Sequence, residues 1–200
     1  PYHFPDAQAH MRHQLPHGLE LSATWYENTD EVVQTEAFND PLGLAWGNRV
    51  LGATLARSWE DPRVLGMSLG DSARVEQKLS RSRFIMGMDL LEGALTLNNR
   101  VHDTRAAGTV SLYSARHDRT FGYEIGSQRY SFDANFPLLL YPSDTLSSAN
   151  RSSGLFYDHL WRPRPQWIVQ AGARVDHVTG AGGARFPPRV ALTYRLLNDP

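Results

Sequence analysis

The chain has 200 residues, with 20 lysines and arginines against 21 acidic residues and no cysteine. At a formal net charge of -1 it has no overall attraction to nucleic acid or anionic lipid, and it can form neither disulfides nor cysteine metal sites. Mean hydropathy is -0.43 and no run of about 18 apolar residues exists, which excludes helical membrane spans but not strand-built ones, whose alternate residues are polar.

Ala7 to Leu15 alternates poorly and is a weak strand. Pro16-His17-Gly18 predicts a tight turn, since proline presets one dihedral and glycine accepts the left-handed one. Leu19, Leu21, Ala23 and Trp25 then alternate with Glu20, Ser22, Thr24 and Tyr26, a strand whose last apolar member is a tryptophan. Asn28 to Leu44 reads as a long polar loop. A strand resumes after Trp46-Gly47-Asn48, with Leu51, Ala53 and Leu55 against Gly52, Thr54 and Ala56, and Glu60-Asp61-Pro62-Arg63 closes a second short turn. Leu65, Met67 and Leu69 alternate with Gly66, Ser68 and Gly70, and from Leu79 to Leu95 the period is lost. A strand-like stretch covers about Leu97 to Tyr113, Arg116-His117-Asp118 makes a third turn, and Phe121, Tyr123 and Ile125 oppose Gly122, Glu124 and Gly126. A second long loop is expected from Asp133 to about Asn150. Leu155, Tyr157 and Trp161 form the next strand, and Pro163-Arg164-Pro165 the fourth turn.

The last quarter has the clearest pattern. Trp167, Val169, Ala171, Ala173 and Val175 share one parity, and Ile168, Gln170, Gly172, Arg174 and Asp176 the other. After a glycine loop, Val190, Leu192, Tyr194 and Leu196 alternate with Arg189, Ala191, Thr193 and Arg195. Period two means strand. A soluble sandwich turns such an apolar face inward, whereas a transmembrane barrel turns it to lipid and its charges to a wet interior. The runs match the roughly 9–11 residues with which a tilted strand crosses a bilayer. Short turns near Gly18, Asp61, His117 and Arg164 alternate with long loops near Asp30, Ser82, Ser143 and Gly182, which is the habit of an up-and-down outer-membrane barrel.

Leu155-Phe156-Tyr157-Asp158-His159-Leu160-Trp161-Arg162-Pro163, then Ala171 to Asp176, then Pro188 to Arg195 resemble the barrel of TonB-dependent outer-membrane receptors. The resemblance is close over the last 45 or so residues and loose elsewhere, where Phe121-Gly122-Tyr123-Glu124 and Trp46-Gly47-Asn48 are similar to family positions. His159 and Val175 depart from it, standing where an acidic residue and a tyrosine are common. The resemblance implies an all-β antiparallel meander, a partial transmembrane β-barrel of about nine to ten strands from a sheet complete at 22. Both ends look cut, since Pro1 is no start methionine and Asn198-Asp199-Pro200 follows directly on a strand. The expectation is therefore one barrel portion over residues 1–200, truncated at both ends and without the family's plug domain or aromatic last residue. Implied with it are the bacterial outer membrane, energy-coupled uptake of a metal chelate, cobalamin or oligosaccharide, and partners comprising lipid, plug, TonB complex and ligand, with no nucleic acid.

Glu124, Arg174, Asp176, Arg189 and Arg195 are the expected lumen-facing residues, bracing the wall as ladders of ion pairs. Trp25, Trp46, Trp161, Trp167 and Tyr194 are the expected interfacial aromatics. Phe38, Trp46, Phe136 and Tyr141 are also candidates for ligand contact on loops. His102-Asp103, His117-Asp118 and Asp176-His177 put adjacent residues on opposite faces, and no GxSxG, HExxH or phosphate-loop pattern occurs, so no enzyme, cofactor or metal is expected. Two other classes stay open: a complete small outer-membrane barrel with a structural or adhesive role, and a soluble β-sandwich binding or hydrolase module.

Overall fold

The computed structural model describes residues 2–34, 42–90, 95–136, 141–180 and 183–196. Its long strands are β1 (Asp6–Leu15), β2 (Leu19–Gln34), β3 (Leu42–Glu60), β4 (Ser72–Leu90), β5 (Leu95–Tyr113), β6 (His117–Phe136), β7 (Tyr141–Arg164), β8 (Trp167–Val178) and β9 (Pro188–Tyr194). Each pairs antiparallel with its neighbour in sequence, an up-and-down meander. The two-residue segments Tyr2–His3 and Ala184–Arg185 prolong the two edges and complete an 11-stranded sheet. Among the described residues β1 and β9 do not pair, so the sheet is open.

The sheet is one layer thick. Among the described residues the buried hydrophobic side chains are those of Ala56, Ala73 and Ala134, and no large side chain is fully buried. Accessible surface is 14444 Å², whereas a compact 22.5 kDa monomer exposes about 9,500 Å². A sandwich would have buried one face of every strand. Here Leu155, Leu192 and Tyr194 stay 66%, 62% and 53% exposed.

Pro16–Gly18 forms the expected hairpin turn, with both His17 (φ 63) and Gly18 (φ 71) left-handed, as a turn matching strand twist requires. The expected loop lengths need correction. Most of Asn28 to Leu44 and of Asp133 to Asn150 is strand, Ser82 lies within β4, and the turn at Asp61 is the extended one, reaching Asp71 and carrying the small hairpin Arg63–Val64/Met67–Ser68. Leu65 sits at φ 51 in that hairpin rather than in a strand. Phe38 and Gly182 lie outside the described residues.

The reason is a change of phase. On β3, Leu51 and Leu55 share a face with Leu21 and Trp25, but Trp46 and Leu44 face the other way, beside Asp30 and Val32. On β4, Val75 and Leu79 take the first face, whereas Phe84, Met86 and Met88 take the second. The backbone keeps its pleat while apolar residues switch sides. A window that spans the switch shows no period.

Candidate functional site

Register assigns every residue to one of two faces, named here after Glu124 and Leu155. The lower Glu124 face, towards the Gly18, Asp61 and Arg164 turns, carries a ladder of charges. Arg105 on β5 bonds Asp103 at 2.9 Å and reaches Glu124 on β6 at 3.6 Å. Arg174 on β8 reaches the same Glu124 at 3.2 Å and Asp176 at 2.6 Å. The Arg189 Nε donates to Asp158 at 2.9 Å between β9 and β7.

Glycines make room for these pairs. Gly154 stands opposite both Glu124 and Asp176, and Gly172 opposite Asp158 and Arg189. A Cβ at 154 would collide with the Asp176 carboxylate and lie 3.0 Å from Arg174 Nη2; one at 172 would collide with Asp158 and lie 2.9 Å from Arg189 Nε. The guanidiniums thus lie flat across the strand between their partners.

Higher on the same face the character changes. Asp30, Trp46, Met86, Asn99, Phe132 and Leu146 stand in one row across β2 to β7. Asn48 and Phe84 flank it one step below, next to Val101 and Tyr130. The Asn99 Oδ1, at the middle of the row, is buried and accepts no hydrogen bond from the described residues.

The Leu155 face is apolar along the lower part of every strand, with aromatics at its lower rim: Trp59, Trp161, and Trp167 tilted against Tyr194 at 4.8 Å. Arg57 and Arg119 also lie on this face, close to that rim, where Arg57 stands 5.9 Å over the Trp59 ring. Arginines mark its upper limit. Trp59 and Arg49 are ten residues apart on β3, and Trp161 and Arg151 ten apart on β7. At about 3.3 Å per residue and a tilt of roughly 35–45°, ten residues rise about 23–27 Å, which matches the apolar band of about 25 Å on transmembrane barrels.

The structure places Glu124, Arg174, Asp176 and Arg189 together on one face. Arg195 follows the last residue of β9 and is tied by its N–H to the Gln166 carbonyl at 2.8 Å, outside the ladder. Trp25, Trp161, Trp167 and Tyr194 share the Leu155 face. Trp46 does not: it stands on the opposite face, apart from the other four aromatics expected at an interface. Phe136 and Tyr141 end β6 and β7 rather than lying on a loop. Among the described residues no group of three or more metal-ligating side chains forms. The sequence reading missed Asn99, the arginines above the band, and a cross-strand contact of 3.0 Å between His117 Nδ1 and His159 Nε2 near the lower rim. None of these follows from spacing within one strand, since each depends on register between strands.

A single open layer with these two faces has the architecture of the wall of an outer-membrane receptor barrel. No family model and no curated protein matches the chain, so the likeness is carried by structure. The alcaligin outer-membrane receptor FauA from Bordetella pertussis superposes with a TM-score of 0.75 at 10% identity, over 98% of this chain and 34% of that one. The pyoverdine outer-membrane receptor FpvA from Pseudomonas aeruginosa PAO1, solved with pyoverdine bound, gives a TM-score of 0.53 at 11% identity, over 98% of this chain and 40% of that one. The chain spans between a third and two-fifths of the length of these receptors.

Proposed function

We propose that this chain is a portion of the barrel wall of a TonB-dependent receptor in the bacterial outer membrane, serving energy-coupled uptake of a scarce ligand such as a metal chelate, cobalamin or an oligosaccharide. The observation that carries this reading is the exposed apolar band on an unlayered sheet, bounded by tryptophans below and arginines ten residues above. In this reading the Leu155 face meets lipid and the Glu124 face lines the lumen. The ion-pair ladder braces the lower wall against a plug supplied by the rest of the receptor. The wall around Trp46, Phe84, Met86 and Phe132 lies nearer the outer mouth, where aromatic and thioether groups offer apolar and stacking contact to an entering ligand. No residue here is assigned a catalytic role.

The test uses the full-length receptor containing this chain. Cell fractionation places it in the outer membrane, and a transport assay with labelled ferric chelates, cobalamin and oligosaccharides identifies its ligand. Trp46→Ala with Phe84→Ala is expected to cut binding of that ligand at least tenfold while heat-modifiable gel migration stays that of a folded barrel. Recovery of the wild-type receptor in the aqueous fraction, or transport of no member of the panel, refutes the proposal.

A further inference from the structure

The arginines above the apolar band belong to neither the ladder nor the lumen. Arg83 on β4, His102 on β5 and Arg129 on β6 stand directly opposite one another in register, all on the Leu155 face. Arg49 extends the row onto β3, and Arg81 and Arg151 lie one step closer to the band. Four carboxylates lie on the upper part of this face: Glu27 pairs with Arg49, Asp133 lies 3.5 Å from Arg100, and Glu31 and Asp89 stand at least two positions above the row of Arg49 and Arg83. Arg81, Arg83, Arg129 and Arg151 are exposed and have no carboxylate partner among the described residues.

Neighbouring strands are only about 4.8 Å apart, so Arg83 and Arg129 are separated by about two such spacings with a histidine between them. Like charges held this close repel unless an anion stands among them. The surface there is also indented. One cleft beside Arg49 and Arg83 is lined by Thr29, Gly47 and Ile85 and also by Glu27, which Arg49 engages; a second beside His102 and Arg129, lined by Ser131, Ser147 and Ala149, holds no carboxylate. Small residues next to guanidiniums leave space for an anionic group to be gripped by two parallel N–H donors, the geometry in which arginine binds phosphate.

We infer that this arginine belt binds the phosphate-bearing headgroups of lipid in the outer leaflet. Position selects a lipid over a free solute: the belt faces away from the lumen, lies one hydrocarbon thickness above the tryptophan rim, and spreads over five strands. The acyl chains of a lipid held there would run down the Leu155 face past Leu51, Leu79 and Ile125. This inference rests on the outer-membrane reading of the Leu155 face.

The experiment takes the purified full-length receptor in phosphatidylcholine nanodiscs and titrates lipopolysaccharide with its lipid phosphates intact, the enzymatically dephosphorylated form, and inorganic phosphate alone. Wild type is expected to bind the phosphorylated lipid at least tenfold more tightly than the dephosphorylated one, with affinity falling as salt rises. Arg81→Gln with Arg83→Gln and Arg129→Gln should abolish that difference, and Arg57→Gln with Arg119→Gln, at the opposite rim, should keep it. Ser147→Glu, which removes no arginine, should weaken lipid binding by placing a carboxylate in the cleft. Equal affinity of wild type and triple variant, indifference to dephosphorylation, or binding of inorganic phosphate as tight as that of the lipid overturns the inference. Failure of the outer-membrane reading shows itself separately, as wild-type receptor recovered outside the membrane fraction before any lipid is added.

Discussion

Two glycines on the Glu124 face give the sharpest test of the ladder. Gly154 sits beneath Arg174 and Asp176, whereas a Cβ at Gly52 would meet nothing within 4 Å. Glycine to alanine in a strand stabilises by about 0.4–1 kcal/mol through the unfolded chain wherever the native backbone accepts it. That contribution is common to both sites, so the difference between the two variants isolates the ladder. At 154 the new methyl group disturbs Arg174 against Asp176 (2.6 Å) and against Glu124 (3.2 Å). The three side chains are 37%, 28% and 32% exposed, so solvent screening applies, and each pair is worth about 0.2–1 kcal/mol. Gly154→Ala should therefore be less stable than Gly52→Ala by about 0.4–2 kcal/mol. Urea unfolding of the full-length receptor in detergent, followed by intrinsic tryptophan fluorescence, measures the difference. Equal midpoints would show that the glycine is not there to seat the guanidinium, and the bracing role would lose its support.

Leu55→Arg and Thr54→Arg place the same charge at one depth on opposite faces; the first should cost about 2–4 kcal/mol and lower the yield of inserted receptor, the second should leave insertion unchanged, and membrane-fraction blots compare them. Asp158→Ala and Arg189→Ala, singly and together, should show a small coupling that shrinks in high salt, and additive losses would remove this pair from the ladder. The 200-residue chain expressed alone keeps unpaired edges at β1 and β9 and an exposed apolar face, so it should aggregate in plain buffer; a cooperative monomeric melt followed by circular dichroism would contradict this.

The lower half of each strand was legible because one face there is greasy and the other charged, so Trp167 to Val175 and Arg174 to Asp176 could be sorted by parity alone. The upper half was not. At β4 the apolar parity runs through Val75 and Leu79, then passes to Phe84, Met86 and Met88, and between them Arg81 and Arg83 occupy positions that leucines hold lower down. A window across that switch averages to nothing, which is why Leu79 to Leu95 showed no period and why Asn28 to Leu44 looked like loop. Trp46 is ambiguous from sequence for the same reason: it lies in the part of the strand where chemistry and face have changed places, and only register puts it beside Asp30 and Met86. The arginine belt was hidden differently. No two of its members are closer than two residues in sequence, and a net charge of -1 conceals them; only register brings Arg83, His102 and Arg129 side by side.

The switch is itself a depth gauge, because the outward positions report the medium that surrounds the sheet. Below it, outward leucines match hydrocarbon and inward charges match water. Above it, outward arginines require water or anions, since hydrocarbon at that level would penalise each of them. The inward side chains follow a separate logic. In the proposed receptor, Trp46, Phe84 and Phe132 would gain little by facing an upper lumen of water alone. On that reading an apolar inner wall at this height is stabilised by whatever covers it, and the proposed receptor offers the plug, the loops and the ligand. The same strands therefore separate two interfaces at one height: an outer one suited to charged headgroups and an inner one suited to a partly apolar guest.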